Sequence, residues 1–128
     1  MRIGELAQIC NCPVETIRYY EKIGLLPPPD RQANAYRNYK VLHQKWLQFI
    51  LRNKELGFSQ SEIRRLTDLA HQLQPACAEV HELLEEHVSD VRKRIHDLKR
   101  MERALVRLKT QCRDGTLHDC PVIDELMS

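Results

Sequence analysis

From Ile3 to Cys10 the apolar positions recur with a helical period, with Ile3, Leu6, Ala7 and Cys10 on one face. Asn11-Cys12-Pro13 then makes a turn, and Pro13 suits the first turn of the next helix, where its missing N–H is not needed. That second helix is expected from about Val14 to Ile23, ended by Gly24. Two short helices joined by so brief a turn form a helix-turn-helix. Leu25-Leu26-Pro27-Pro28-Pro29 cannot be helical, and Arg31 to Tyr39 reads as a short hairpin, or wing. Two further helices are expected at about 41–55 and 60–70. Gly57 separates them, and Ser59 with Glu62 makes a capping box for the second.

The rear of the chain has a different pattern. Pro75 opens it, and from Ala76 to Cys112 there is neither Gly nor Pro. Val80, Leu84, Val88, Val91, Ile95, Leu98, Met101, Leu105 and Leu108 recur every three or four residues, as in a coiled-coil seam with two irregularities. A helix of that length spans roughly 50 Å. Its stripe needs a partner, and the economical one is the same helix of a second copy. The other possibility is packing on the chain's own front part, which is too short to cover the rod. A polar loop at 113–119 follows, then a turn or two of helix at 121–126, where Val122, Ile123 and Leu126 are expected to pack. The expected fold is therefore all-α with a small β wing: a winged helix-turn-helix domain at 1–72, a dimerisation helix at 75–112 forming a coiled coil, and a loop with a short helix at 112–128.

Composition narrows the function. With 30 % charged residues, 5 % aromatics and four Gly in 128 residues, a helical protein with a long solvated face is favoured. The net charge of +2 hides an asymmetry: residues 1–65 hold eleven Lys/Arg and six Asp/Glu, net +5, whereas 66–128 hold nine and twelve, net −3. The front is the better candidate to meet a polyanion. There is no apolar run long enough for a membrane and no secretory leader pattern at the start, so a cytoplasmic location without membrane contact is expected. Five Cys in a reducing compartment are structural or hold metal. No catalytic triad, phosphate loop or carboxylate pair stands out, so the chain does not read as an enzyme.

Thr16, Arg18, Tyr19 and Tyr20 on the second helix are residue types that reach bases and phosphates. Glu15 can accept from a cytosine amine, while Val14 and Ile17 face inward. Arg31, Tyr36 and Arg37 of the wing suit phosphate contacts, with Arg52 and Lys54 as further candidates. The segments IGELA, ETIRYYEKIGLLPPP and YRNY resemble the front domain of the MerR family of transcription regulators, over residues 3–70. The resemblance implies DNA contact by Thr16, Arg18, Tyr19, Tyr20, Tyr36 and Arg37, and a dimer built on a long antiparallel two-helix coil. Asn34 replaces the Gly common at the wing tip, and Asn tolerates positive φ. Asn38 stands where relatives often carry a larger side chain.

Cys77 opens the long helix, Cys112 closes it, and Cys120 lies eight residues further on. Cys112 and Cys120 can meet by loop closure. Cys77 is a whole helix away, so in an antiparallel dimer it would join Cys112 and Cys120 of the partner, giving two shared sites. Thiolates favour zinc, cadmium, lead, mercury and copper(I). Three of them leave net −1 around a divalent ion and −2 around a monovalent one, and burial disfavours the larger charge. CRDGTLHDCPVIDEL resembles the copper branch of the family, but that branch has Ser at the position of Cys77. CAEVHELLEEH resembles the cadmium and lead branch. The expected effector is thus a divalent metal ion, Cd²⁺, Pb²⁺ or Zn²⁺, with His118 as a candidate fourth ligand for zinc. His81 and His87 are read as solvated, Cys10 as a small core residue, and Trp46 with Phe49 as core.

The resemblance further implies activation of metal-resistance or efflux genes. The metal-bound dimer would distort promoter double-stranded DNA so that RNA polymerase engages it. Competing readings are a sensor of oxidants, mercury or copper(I) using the same cysteines, a thiol-disulfide or metal-transfer protein, which lacks the expected C-x-x-C, and a drug-binding relative, for which the tail after Cys120 is too short.

Overall fold

A computed structural model of the chain describes residues 1–31, 37–72, 74, 77–112 and 121–128, with backbone only at 31 and 37. Its elements are α1 (Ile3–Cys10), α2 (Val14–Lys22), β1 (Asp30–Arg31), β2 (Arg37–Asn38), α3 (Val41–Glu55), α4 (Gln60–Ala70), α5 (Cys77–Gln111) and α6 (Pro121–Met127). They fall into two compact units, Met1–Val80 and His81–Ser128. Asn34, Tyr36, Pro75, His118, Cys120 and the loop at 113–119 lie outside the described residues.

In the first unit α1 packs on α2 and α3, and α3 packs on α4. Each helix contributes a short apolar face. Leu6 of α1, Ile17 and Tyr20 of α2, Leu47 and Ile50 of α3 and Ile63 of α4 are all buried, and Leu25, Leu26 and Tyr39 from the connections join them. The helix ends follow local chemistry. Asn11 takes a left-handed conformation at φ 50° after α1, which Asn tolerates better than most residues. Gly24, at φ +78°, and Gly57, at φ +81°, end α2 and α3 in conformations that a Cβ would strain. The capping box is formed in full: Glu62 N–H donates to Ser59 Oγ at 3.2 Å, and Ser59 N–H donates to Glu62 Oε1 at 2.9 Å.

The wing is a two-stranded antiparallel ribbon, with Asp30 opposite Asn38 and Arg31 opposite Arg37. Its base is fastened twice. Lys40 Nζ pairs with Asp30 Oδ2 at 2.6 Å, and the Met1 amino group donates to Asn38 Oδ1 at 3.0 Å and to the Tyr39 carbonyl at 2.7 Å. That second contact makes Asn38 an acceptor for the chain's amino terminus. His43, buried at the start of α3, accepts from Lys40 N–H through Nδ1 at 2.8 Å and donates from Nε2 to the Pro28 carbonyl at 3.0 Å. Because a carbonyl only accepts, Nε2 is the nitrogen that carries the hydrogen in this contact. Trp46 and Phe49 are half-buried; Trp46 meets Phe49 edge-on and stacks on His71 at 4.0 Å.

In the second unit α6 is tied back to α5 by Arg107 Nη2, which donates to Glu125 Oε1 at 2.8 Å. Val122 is half-buried, but Ile123 and Leu126 stay exposed. The expected packing of those two is therefore absent within one chain, because a seven-residue helix on one rod has little surface to lie against.

Candidate nucleic-acid interface and metal centre

The 3.6-residue period of α2 decides which of its polar side chains can meet DNA. Ile17 and Tyr20, three apart, share the inward face, and Tyr20 is only 4 % exposed. Thr16 is half-buried, and Glu15, Arg18 and Tyr19 lie open, Tyr19 at 47 %. The outward set is thus Glu15, Thr16, Arg18 and Tyr19. Tyr20, expected among the DNA-contacting residues, is packed into the core, as its i, i+3 spacing from Ile17 signals. Burial accordingly pushes the Tyr20 hydroxyl above its usual pKa. Arg31 and Arg37 face each other across the wing ribbon as backbone partners, and Tyr36 is outside the described residues.

Three side chains from elsewhere hold the last turn of α2, none of them marked by any local sequence pattern. Tyr19 donates its hydroxyl to Gln60 Oε1 at 3.1 Å. Tyr39 donates to the Glu21 carboxylate. Arg64 donates to the Ile23 carbonyl.

The cysteines divide by surroundings. Cys12 is buried and Cys10 half-buried in the first unit, and burial raises both thiol pKa values. Cys77 and Cys112, in contrast, are exposed at the two ends of the α5 region. Thiol donors at accessible positions suit a soft cation. They do not come together within one chain, since α5 runs 35 residues, roughly 52 Å, between them. Among the described residues no three His, Cys, Asp or Glu side chains gather into a metal-binding group. Cys120 and His118 are outside the described residues. His81 is solvated and bonds Glu85 at 3.1 Å, but His87, expected to be solvated, is buried together with Leu83.

Apart from Leu83, His87 and the half-buried Val80, Val91 and Leu108, α5 is exposed. Leu84, Val88, Ile95, Leu98, Met101 and Leu105 are 43 to 64 % exposed. Its charge is sharply divided. Residues 77–90 carry Glu79, Glu82, Glu85, Glu86 and Asp90 and no Lys or Arg, while 91–112 carry eight Lys/Arg against Asp97 and Glu102. The net −3 of the rear half averaged over this division.

Comparison with known proteins gives the same picture over nearly the whole chain. A family model described as MerR family regulatory protein matches residues 2–39, and one described as MerR, DNA binding matches residues 44–108. The chain belongs to the MerR family of transcription regulators. Proteins of this family bind DNA to regulate transcription and are not enzymes. The mercuric resistance operon regulatory protein of Bacillus cereus is 40 % identical over 98 % of this chain and 96 % of that protein. Among solved structures, the transcription regulator PbrR691 from Ralstonia metallidurans CH34 in complex with lead(II) is similar at a TM-score of 0.85. It is 36 % identical, over 98 % of both chains. MerR from Bacillus megaterium MB1 in complex with mercury(II) is similar at a TM-score of 0.77, with 35 % identity over the full length of both. The helical architecture with a small wing and a long rear helix is thus that of MerR regulators.

Proposed function

We propose that the chain is a metal-responsive transcription regulator that works in the cytoplasm as a homodimer on promoter double-stranded DNA. It would activate metal-resistance or efflux genes by distorting that DNA so that RNA polymerase can engage the promoter. The reading places Thr16, Arg18 and Tyr19 of α2 against bases and phosphates, and Arg31, Tyr36 and Arg37 of the wing against phosphates. The metal site is formed by Cys112 and Cys120 of one chain with Cys77 of the partner subunit, and His118 is the candidate fourth donor. Residues 1–72 read DNA, 75–112 dimerise, and 112–128 close over the metal.

The observation that carries this is the open stripe of α5 with a thiol at each end. An antiparallel register that sets Cys77 beside the partner's Cys112 also sets Leu84 against the partner's Leu105. It likewise sets Val88 against the partner's Met101 and Val91 against the partner's Leu98. The acidic first half of each rod then lies along the basic second half of the other, whereas parallel pairing would stack like charges. Among the described residues no helix is long and apolar enough to cross a membrane.

The favoured effector is cadmium, lead or zinc. The lead(II) complex of the Ralstonia protein supports a soft divalent ion. The mercury(II) complex and the Bacillus cereus relative make mercury the second reading, and the same three thiolates would serve it. Copper(I) or an oxidant acting on these cysteines remains the alternative if divalent ions do not bind. A bound ion would cross-link the two chains through thiolates. The thiol residues fix the 112–120 loop against the coil and so bias the two reading helices toward one mutual orientation.

The test is metal binding by reduced mixed dimers, one chain Cys77→Ser and the other Cys112→Ser. Both lesions fall in one shared site, so about one ion should bind per mixed dimer, against about two for wild type. No binding to the mixed dimer would overturn the shared site, and full binding by Cys77→Ser homodimers would place the site on Cys112 and Cys120 of one chain.

A further inference from the structure

Base-edge recognition depends on the pitch of a helix in its groove, yet α2 is nine residues long and ends at a glycine with positive φ. Something must fix that end. The last carbonyls of a helix are unpaired within it, and they carry the negative end of its dipole. Arg64 of α4 answers both: its guanidinium donates to the Ile23 carbonyl and lies along Gly24, where an added Cβ would stand 3.8 Å from Nη1. One turn earlier on the same face of α4, Gln60 accepts the Tyr19 hydroxyl at 3.1 Å. The two contacts grip α2 at residues 19 and 23, one helical turn apart. The Ser59–Glu62 box in turn fixes the start of α4, where Gln60 sits.

We propose that Gln60 and Arg64 are positioning residues that set the pitch of the reading helix, so that discrimination between DNA sequences depends on them more than general DNA affinity does. Phosphate attraction tolerates small changes of angle, whereas paired hydrogen bonds to a base edge do not. Tyr19 is then held by the protein, its ring presented rather than its hydroxyl. The proposal rests on α2 being the reading helix.

The experiment uses the full dimer, a duplex selected from random-sequence DNA by the wild-type protein, and a scrambled duplex of the same composition. Gln60→Ala and Tyr19→Phe each lower the ratio of selected to scrambled affinity about three- to tenfold, the effect of one lost hydrogen bond. Combined, they lose no more than either alone, because both remove the same contact. Arg64→Ala lowers the ratio about tenfold or more, with the slope of affinity against salt unchanged, and Arg64→Lys, a cationic donor at the same place, restores part of it. Additive losses in the double variant would mean that the Tyr19 hydroxyl acts on DNA itself, and the proposal fails. A salt slope lowered by about 0.9 in Arg64→Ala would make Arg64 a phosphate contact, which also overturns it. If Arg64→Ala does not fold, as circular dichroism would report, the pair at 19 and 60 still decides. Arg18→Ala tests the underlying reading separately: wild-type affinity in that variant removes α2 as the reading helix, whatever the α4 variants show.

Discussion

The 80 residues at the front and the rod behind them solve the burial of apolar surface in opposite ways. The front unit is closed. Leu6, Ile17, Leu47, Ile50 and Ile63 are fully buried within one chain, and its helix ends are capped or carried by glycine. The rod is open, with a stripe of six large apolar side chains more than two-fifths exposed. In the first, sequence pattern is spent on folding; in the second, the same kind of pattern is an address for another molecule. Soluble chains do not keep so long an apolar stripe in water without a use for it.

Leu98→Asp attacks the open side and should have the largest effect. It should convert the dimer to monomers in sedimentation and weaken binding to a two-half-site promoter by at least about 100-fold, since a monomer offers one reading helix. Thermal stability of the front unit should hardly change. Ile17→Ala attacks the closed side. It should cost about 2–5 kcal/mol in urea unfolding, from lost contacts and a cavity, while chains still folded should remain dimeric. A comparable loss of front-unit stability from both variants would erase the contrast between closed and open regions. Asp30→Asn probes the smallest effect. Lys40 beside Asp30 holds that carboxyl below its ordinary range, chiefly through the hydrogen bond between them. The pair therefore stabilises the ribbon above the unfolded carboxylate pKa near 4, and the contribution is lost as pH falls through the lower folded value. Both side chains are well exposed and screened, so Tm should fall by no more than about 2 °C at neutral pH, and the difference should vanish in acid.

Local patterns carried most of the fold. The period of α3, Gly57 and the Ser59–Glu62 box define α3 and α4 from sequence, and an uninterrupted run without Gly or Pro defines α5. Residue type pointed to accessible positions in the candidate site: Arg18 and Tyr19 stand open on α2 with Thr16 half-buried beside them, and Cys77 and Cys112 are exposed at the ends of the rod. Residue type alone does not tell that two neighbours of one kind face different ways, as Tyr19 and Tyr20 do, whereas the spacing from Ile17 does. The site was hidden where partners lie far apart in sequence. Nothing around Gln60 or Arg64 announces a residue 41 positions earlier, and nothing around His43 announces Pro28. The charge division of α5 was in plain view, but counting over half the chain averaged it away.

The three prolines at 27–29 lead into the first strand of the wing. They have no amide protons and fixed φ, so this stretch has few conformations to lose, even in the unfolded chain. On one side it is moored by buried Leu25 and Leu26, and at its middle by His43 gripping the Pro28 carbonyl. It behaves as a strut between the reading helix and the ribbon. On the proposed reading, little ordering would be left to do at this joint when DNA arrives, and binding energy there would go into bending the duplex instead of stiffening the protein.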